Sequence, residues 1–188
     1  DSIYYKIQSS VVDSIYNKHK KNSYIKPNNQ YKESDIIREI ERINNIMRNS
    51  GIFTFEKESL SGILAEYDSI RKTYTITLPI KDRIVKTQDT IIIDGVSKKQ
   101  DSTFYEPYKI YKISRVNVFT DFNYDNIQEN ITDSAVYNGH HFYSFKKLRY
   151  NPKAISDAIF IKPNEIYKDS DKSITLTQLN ELKTFKYP

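Results

Sequence analysis

The sequence predicts an α+β protein made of two tandem copies of one small module, each a mixed sheet covered on one face by two helices. Three observations carry this expectation. A twelve-residue block, Tyr24 to Asp35 (YIKPNNQYKESD), returns without a gap as Phe160 to Asp171 (FIKPNEIYKDSD), and eight of its positions are identical. Both blocks run from a Pro-Asn turn into a pattern of apolar residues at helical spacing. Thr73 to Leu78 alternates strictly, with Thr on one side and Tyr74, Ile76 and Leu78 on the other, as a half-buried strand does. Self-similarity at a fixed spacing decides architecture before any local signal, because each copy must bury its own apolar face.

In chain order, Tyr5-Lys6-Ile7 opens a strand and resembles Tyr111-Lys112-Ile113, which opens the second copy. A short helix follows from about Asp13 to Lys21. The second helix carries Ile36, Ile40, Ile43 and Met47 on its core face, with Ile37 and Ile46 widening the stripe. It closes at Ser50-Gly51, where glycine accepts the left-handed conformation that ends a helix. Phe53-Thr54-Phe55 opens a strand, interrupted near Ser61-Gly62 and resumed through Ile63-Leu64-Ala65. Asp68-Ser69 turns the chain into the alternating strand, which completes a β-α-α-β-β unit. In the second copy a helix spans Asn151 to Phe160 with Pro152 in its first turn. Leu176, Leu179 and Leu182 occupy the places of Ile40, Ile43 and Ile46. The last two strands of this copy are expected to be cut off, leaving it truncated. The predicted organisation is one module over residues 1–82, a polar connecting segment over 83–106 with a hairpin turn at Asp94-Gly95, and a second module over 107–188. That second module holds an ordered insertion at about 121–145.

Composition narrows the function. The 188 residues include 16 Tyr, 9 Phe, no Trp and 4 Gly, the bias of an AT-rich coding sequence. Net charge is +5, with the cations scattered in short doublets such as Lys20-Lys21, Lys98-Lys99 and Lys146-Lys147, so no basic stripe tracks a phosphate backbone. The absence of cysteine excludes disulfides, thiolate metal sites and cysteine nucleophiles. No apolar run approaches the roughly 20 residues of a membrane-spanning helix. Asp1 in place of a start methionine marks the expected product as a mature form or an excised segment. With Gly51, Gly62, Gly95 and Gly139 the only glycines, no phosphate loop or nucleophile elbow can be assembled. His19 sits among lysines as a surface residue. His140-His141 point to opposite faces of a strand and have no third ligand nearby. The expectation is no enzyme, no cofactor and no metal.

The stretch Tyr31 to Phe55, with Glu41-Arg42-Ile43 and Met47-Arg48-Asn49-Ser50-Gly51-Ile52-Phe53-Thr54-Phe55, resembles the second helix and second strand of a POTRA (polypeptide-transport-associated) domain. In that family the helix commonly runs into an Arg-Asn-x-Gly-aromatic-x-Phe turn; here Ile52 stands where the aromatic is usual. Thr177 to Lys186 is similar to the same place in another copy. The flavour is that of the periplasmic region of BamA/TamA-like outer-membrane assembly factors of Bacteroidetes, the TamL-like lipoprotein variant above all. The resemblance implies a periplasmic scaffold beside an adjoining membrane β-barrel of the same full-length protein. Its implied partners are other subunits of the assembly machine and unfolded barrel clients, bound by adding a strand to a sheet edge. The implied edge is Phe53, Thr54, Phe55, Glu56 and Lys57, whose charges serve either to recruit a strand or to block aggregation.

Two further readings complete the sequence. Asp-Ser/Thr followed by a small or aliphatic residue recurs and is similar to the periplasmic O-glycosylation motif of Bacteroidetes; Ser69 and Ser102, in expected exposed turns, are its candidates against ordinary turn chemistry. The alternative to the scaffold is a single-stranded nucleic-acid or other ligand-binding module, using Tyr4, Tyr5, Tyr105, Tyr108 and Tyr111 beside Lys109 and Lys112. The scaffold reading, with no nucleic acid, is preferred.

Overall fold

The computed structural model describes residues 2–93, 96–126 and 128–183. The chain is α+β and divides into two compact units, one of Asp1–Arg48 with Thr54–Lys109 and one of Asn49–Phe53 with Ile110–Pro188.

In the first unit, β1 (Ser2–Ile7) leads into α1 (Ser10–His19), which tightens into a 3-10 turn at Lys20–Asn22, and then α2 (Glu33–Asn49). A second 3-10 turn, Lys57–Leu60, precedes β2 (Leu64–Asp68) and β3 (Thr73–Ile80). The sheet order is β1-β3-β2, with β1 parallel and β2 antiparallel to the central β3. The alternation of β3 is realised: Ile76, Leu78 and Ile80 are buried, together with Val12, Ile15 and Tyr16 of α1 and Ile43 and Met47 of α2. Each such aliphatic side chain contributes roughly 1.5–3 kcal/mol by leaving water. Ile37, expected to widen the core stripe of α2, is 56% exposed. The interior position is taken by Glu39 instead, for a reason given below. Residues expected to be a polar connection form a long antiparallel hairpin of β4 (Arg83–Ile93) and β5 (Val96–Glu106). The expected turn residues Asp94-Gly95 lie outside the described residues.

The second unit holds β6 (Val116–Phe119), β7 (Asp133–Tyr137), β8 (His140–Ser144), α3 (Pro152–Asp157) and α4 (Asp169–Glu181). Its sheet order is β6-β8-β7, with β6 parallel and β7 antiparallel to β8. The expected insertion therefore supplies two of the three strands. Asn138 and Gly139, at φ of 51° and 79°, join β7 to β8 in the two-residue turn whose twist suits a hairpin. Phe142, Ile155 and Ile159 form the core, with Val116, Val118, Leu148, Ile161 and Leu179 packed against it. Tyr111-Lys112-Ile113 is not part of the sheet. Its backbone is tied to the loop 164–167 and to Gly51, through Tyr111 N–H to Gly51 O (2.9 Å), Tyr167 N–H to Tyr111 O (3.0 Å) and Ile113 N–H to Glu165 O (2.9 Å).

The two sequence blocks adopt the same local structure. Asn28 and Asn164 are both left-handed, at φ of 64° and 65°, and α2 and α4 begin at the equivalent Glu33 and Asp169. The Tyr24 N–H donates to Glu39 Oε2 (3.0 Å), and the equivalent Phe160 N–H donates to Thr175 Oγ1 (2.9 Å). The helices then diverge. Of the expected leucine face of α4, only Leu179 packs on the core; Leu176 and Leu182 are exposed, and Thr175 holds the buried position.

Candidate functional site

The segment expected to be an open edge, Phe53 to Lys57, is not a strand. Ile52, Phe55 and Leu60 are all buried, and inward positions three and five residues apart, both odd spacings, cannot be met by a backbone whose side chains alternate every two. Gly51, at φ of 97°, reverses the chain, and a Cβ there would lie 2.6 Å from Ile110 Cγ2 and 2.8 Å from Ile166 Cγ2. Arg48 Nη1 then holds the Phe55 carbonyl at 3.2 Å, and the Phe55 ring packs 5.0 Å from that of Tyr108. The Tyr108 hydroxyl is hydrogen-bonded to that of Ser59, and burial pushes its pKa up. Lys57 pairs with Glu41 on α2. The segment is thus a packed connector whose charges are partly spent.

The edge of the first sheet is β2, Leu64-Ala65-Glu66-Tyr67-Asp68. It lies at the end of the strand order, and among the described residues no backbone hydrogen bond reaches it from its outer side. Ala65 and Tyr67 stand opposite Ile76 and Tyr74 on the helix-covered face. There Tyr31, Tyr74 and Tyr67 form an aromatic row, with ring centroids 4.7 and 5.0 Å apart, that runs out to the edge. Leu64, Glu66 and Asp68 stand opposite the threonines of β3 on the other face. Leu64 and Tyr67 are both more than half exposed. Exposed backbone with apolar side chains on both faces is the chemistry of strand addition, and β2 carries neither Lys nor Pro to oppose it. The opposite edge, β1, differs. It carries Lys6, a residue type that opposes strand addition, and beside it lies a cavity lined by Ile3, Tyr5, Lys20, Lys21, Lys26 and Pro27.

The remaining expected sites are not brought together in this way. Ser69 lies exposed in the turn after β2, where Asp68 Oδ1 accepts from the N–H groups of Ile70 (2.9 Å) and Arg71 (3.0 Å). Ser102 is not in a turn; it is partly buried within β5, opposite Thr87, because the connecting segment is a hairpin. The aromatic platform is interrupted at Tyr108, which is 3% exposed, and at Tyr5, which packs on Tyr16 under the ammonium of Lys20. Lys109 is paired with Glu106 at 2.8 Å. His140 and His141 do face opposite ways. His140 is buried, its Nε2–H donating to the Ile161 carbonyl (3.1 Å) and its Nδ1 hydrogen-bonded to the Ser156 hydroxyl (2.8 Å). It is a strut between β8 and the α3 region. No group of three metal-ligating side chains is assembled among the described residues, and no helix among them is long and apolar enough to cross a membrane.

No protein-family profile and no curated protein matches the chain. Among solved structures, the crystal structure of Haemophilus influenzae BamA POTRA3-5 is similar to it at a TM-score of 0.45 and 11% identity. The match covers 100% of this chain and 52% of that one, so this chain spans about half the length of its neighbour.

Proposed function

We propose that this chain is a docking scaffold of two POTRA-type modules, without catalysis of its own, on the periplasmic side of a BamA/TamA-like outer-membrane assembly factor. In this reading it serves an adjoining β-barrel and holds machine subunits or unfolded clients by strand addition at β2. The observation that supports it best is the open β2 edge in a β1-α1-α2-β2-β3 unit whose other edge is flanked by lysines and proline. Backbone hydrogen bonding is indifferent to sequence, which suits a site that must accept many clients weakly. Glu66 adds a preference for incoming strands that carry Lys or Arg, since opposite charges across a ladder contribute roughly 0.2–1 kcal/mol, while Asp68 is spent on the following turn and on Arg71. The test is an NMR titration with alternating amphipathic peptides of either charge. The amides of Leu64 to Asp68 are expected to shift, more with basic peptides, and Leu64→Lys with Tyr67→Lys is expected to weaken the effect. Shifts confined to other segments, or none, would overturn the assignment.

A further inference from the structure

In the second unit, the loop after β6 and the segment between β8 and α3 enclose a cavity of about 250 Å³. Asp121 builds its frame. Its Oδ1 accepts from the Phe145 N–H (3.0 Å), and its Oδ2 accepts from the Ser144 hydroxyl (2.7 Å) and the Lys146 N–H (3.2 Å). Burial raises the pKa of this carboxyl, but those hydrogen bonds outweigh it and hold the group below the usual carboxylate range. Its charge is therefore committed to the loop. Asn126 fixes the facing wall, donating to the Asp121 carbonyl (2.9 Å) and accepting from the Asn123 N–H (2.9 Å).

Three cations, Lys146, Lys147 and Arg149, line this cavity, and none has an ion-pair partner among the described residues. Other exposed cations, such as Lys162 and Lys172, are likewise without an ion pair among the described residues; what these three add is that they line one cavity whose wall is ordered by Asp121 and Asn126. The Asn123 side chain spends its oxygen on the N–H groups of Asp125 and Asn126, which leaves its NH₂ as a further donor. We propose that this cavity binds a phosphate group. A guanidinium fork takes two phosphate oxygens and ammonium groups serve the remainder. Three positive charges against one committed carboxylate suit a dianion better than a single carboxylate. The phosphate is carried by a soluble monoester, which is a dianion, or by a phospholipid headgroup, a singly charged diester; both offer non-bridging oxygens to the same donors, and the monoester matches the three cations better. The site lies in the second unit and stands independently of strand addition at β2 in the first.

The 188-residue chain is titrated with inorganic phosphate and with glycerol 3-phosphate, followed by amide shifts, and separately sedimented with phosphatidylglycerol or phosphatidylcholine vesicles. The paired variant Lys147→Gln/Arg149→Gln removes two exposed cations without touching the Asp121 frame. A control, Lys162→Gln/Lys172→Gln, removes the same charge elsewhere in the unit. Saturable shifts at Asn123, Lys146, Lys147 and Arg149 with the soluble probes, weakened about tenfold or more by the paired variant and little by the control, identify a soluble ester as sufficient. Sedimentation with phosphatidylglycerol alone, lost in the same variant, assigns the headgroup. Binding in neither arm, or equal loss in variant and control, overturns the proposal.

Discussion

Glu39 shows how one side chain organises its neighbourhood. It is fully buried, yet both carboxylate oxygens are used: Oε2 accepts from the Tyr24 N–H (3.0 Å) and Arg42 Nε (2.8 Å), and Oε1 from Arg42 Nη2 (2.5 Å). Arg42 in turn donates to the His19 carbonyl (3.0 Å) and lies over the Tyr16 ring. The hydrogen bonds that Arg42 donates to Glu39 raise the Arg42 pKa further. This explains why Glu39, not Ile37, faces inward. Ile37 lies about 200° round the helix from Glu39, so with Glu39, Ile43 and Met47 inward it faces solvent. Glu39→Ala strands a buried guanidinium and is expected to cost about 3–5 kcal/mol in urea unfolding. Thr175→Val, which removes the neutral equivalent at Phe160, is expected to cost about 1–3 kcal/mol. Equal costs would mean that the charge adds nothing to the shared cap.

At the scale of elements, the β4–β5 hairpin is the outlier. Its eleven paired positions make it the longest ladder of the chain, but Ile92 is 75% exposed and Tyr105 63% exposed. Tyr108 just beyond it is buried, and Arg83 and Glu106 pair across its base (3.8 Å). A two-stranded ribbon without a covering layer is marginal in water. Its amides are accordingly expected to exchange well ahead of those of β3, measured by native-state hydrogen exchange. Replacing residues 84–105 by a short turn is expected to leave the β3 amides protected. Protection of the hairpin equal to that of β3 would show that its stability comes from more than its own ladder.

At the scale of the whole molecule, two cores are present, one around Ile43 and Leu78 and the other around Phe142 and Ile155. Ile43→Ala is expected to cost about 2–5 kcal/mol, and Phe142→Ala about 3–5 kcal/mol. Each loss is expected to appear in the amides of its own unit, β3 for the first and β8 for the second, by hydrogen exchange. Parallel loss in both units would show that they unfold as one.

The sequence by itself determined the elements whose signals are local. Pro152 with the Asn151 cap, the left-handed Gly51, the Thr73–Ile80 alternation and the Pro-Asn turns at Asn28 and Asn164 all act over a few residues, so they were legible. Asn138-Gly139 was equally legible as a hairpin turn and would have revealed β7 and β8 inside the supposed insertion. Only the tertiary structure decided the rest. Phe53–Lys57 reads as strand by composition, but long-range packing against Tyr108 and the hold of Arg48 on Phe55 make it a connector and pass the edge to Leu64–Asp68. The cavity of the second unit likewise depends on Asp121 gripping a loop 24 residues away, which left Lys146-Lys147 looking like an ordinary surface doublet. Propensity and periodicity are summed over neighbours along the chain. Edges and cavities are set by partners distant in sequence, and no local pattern encodes those.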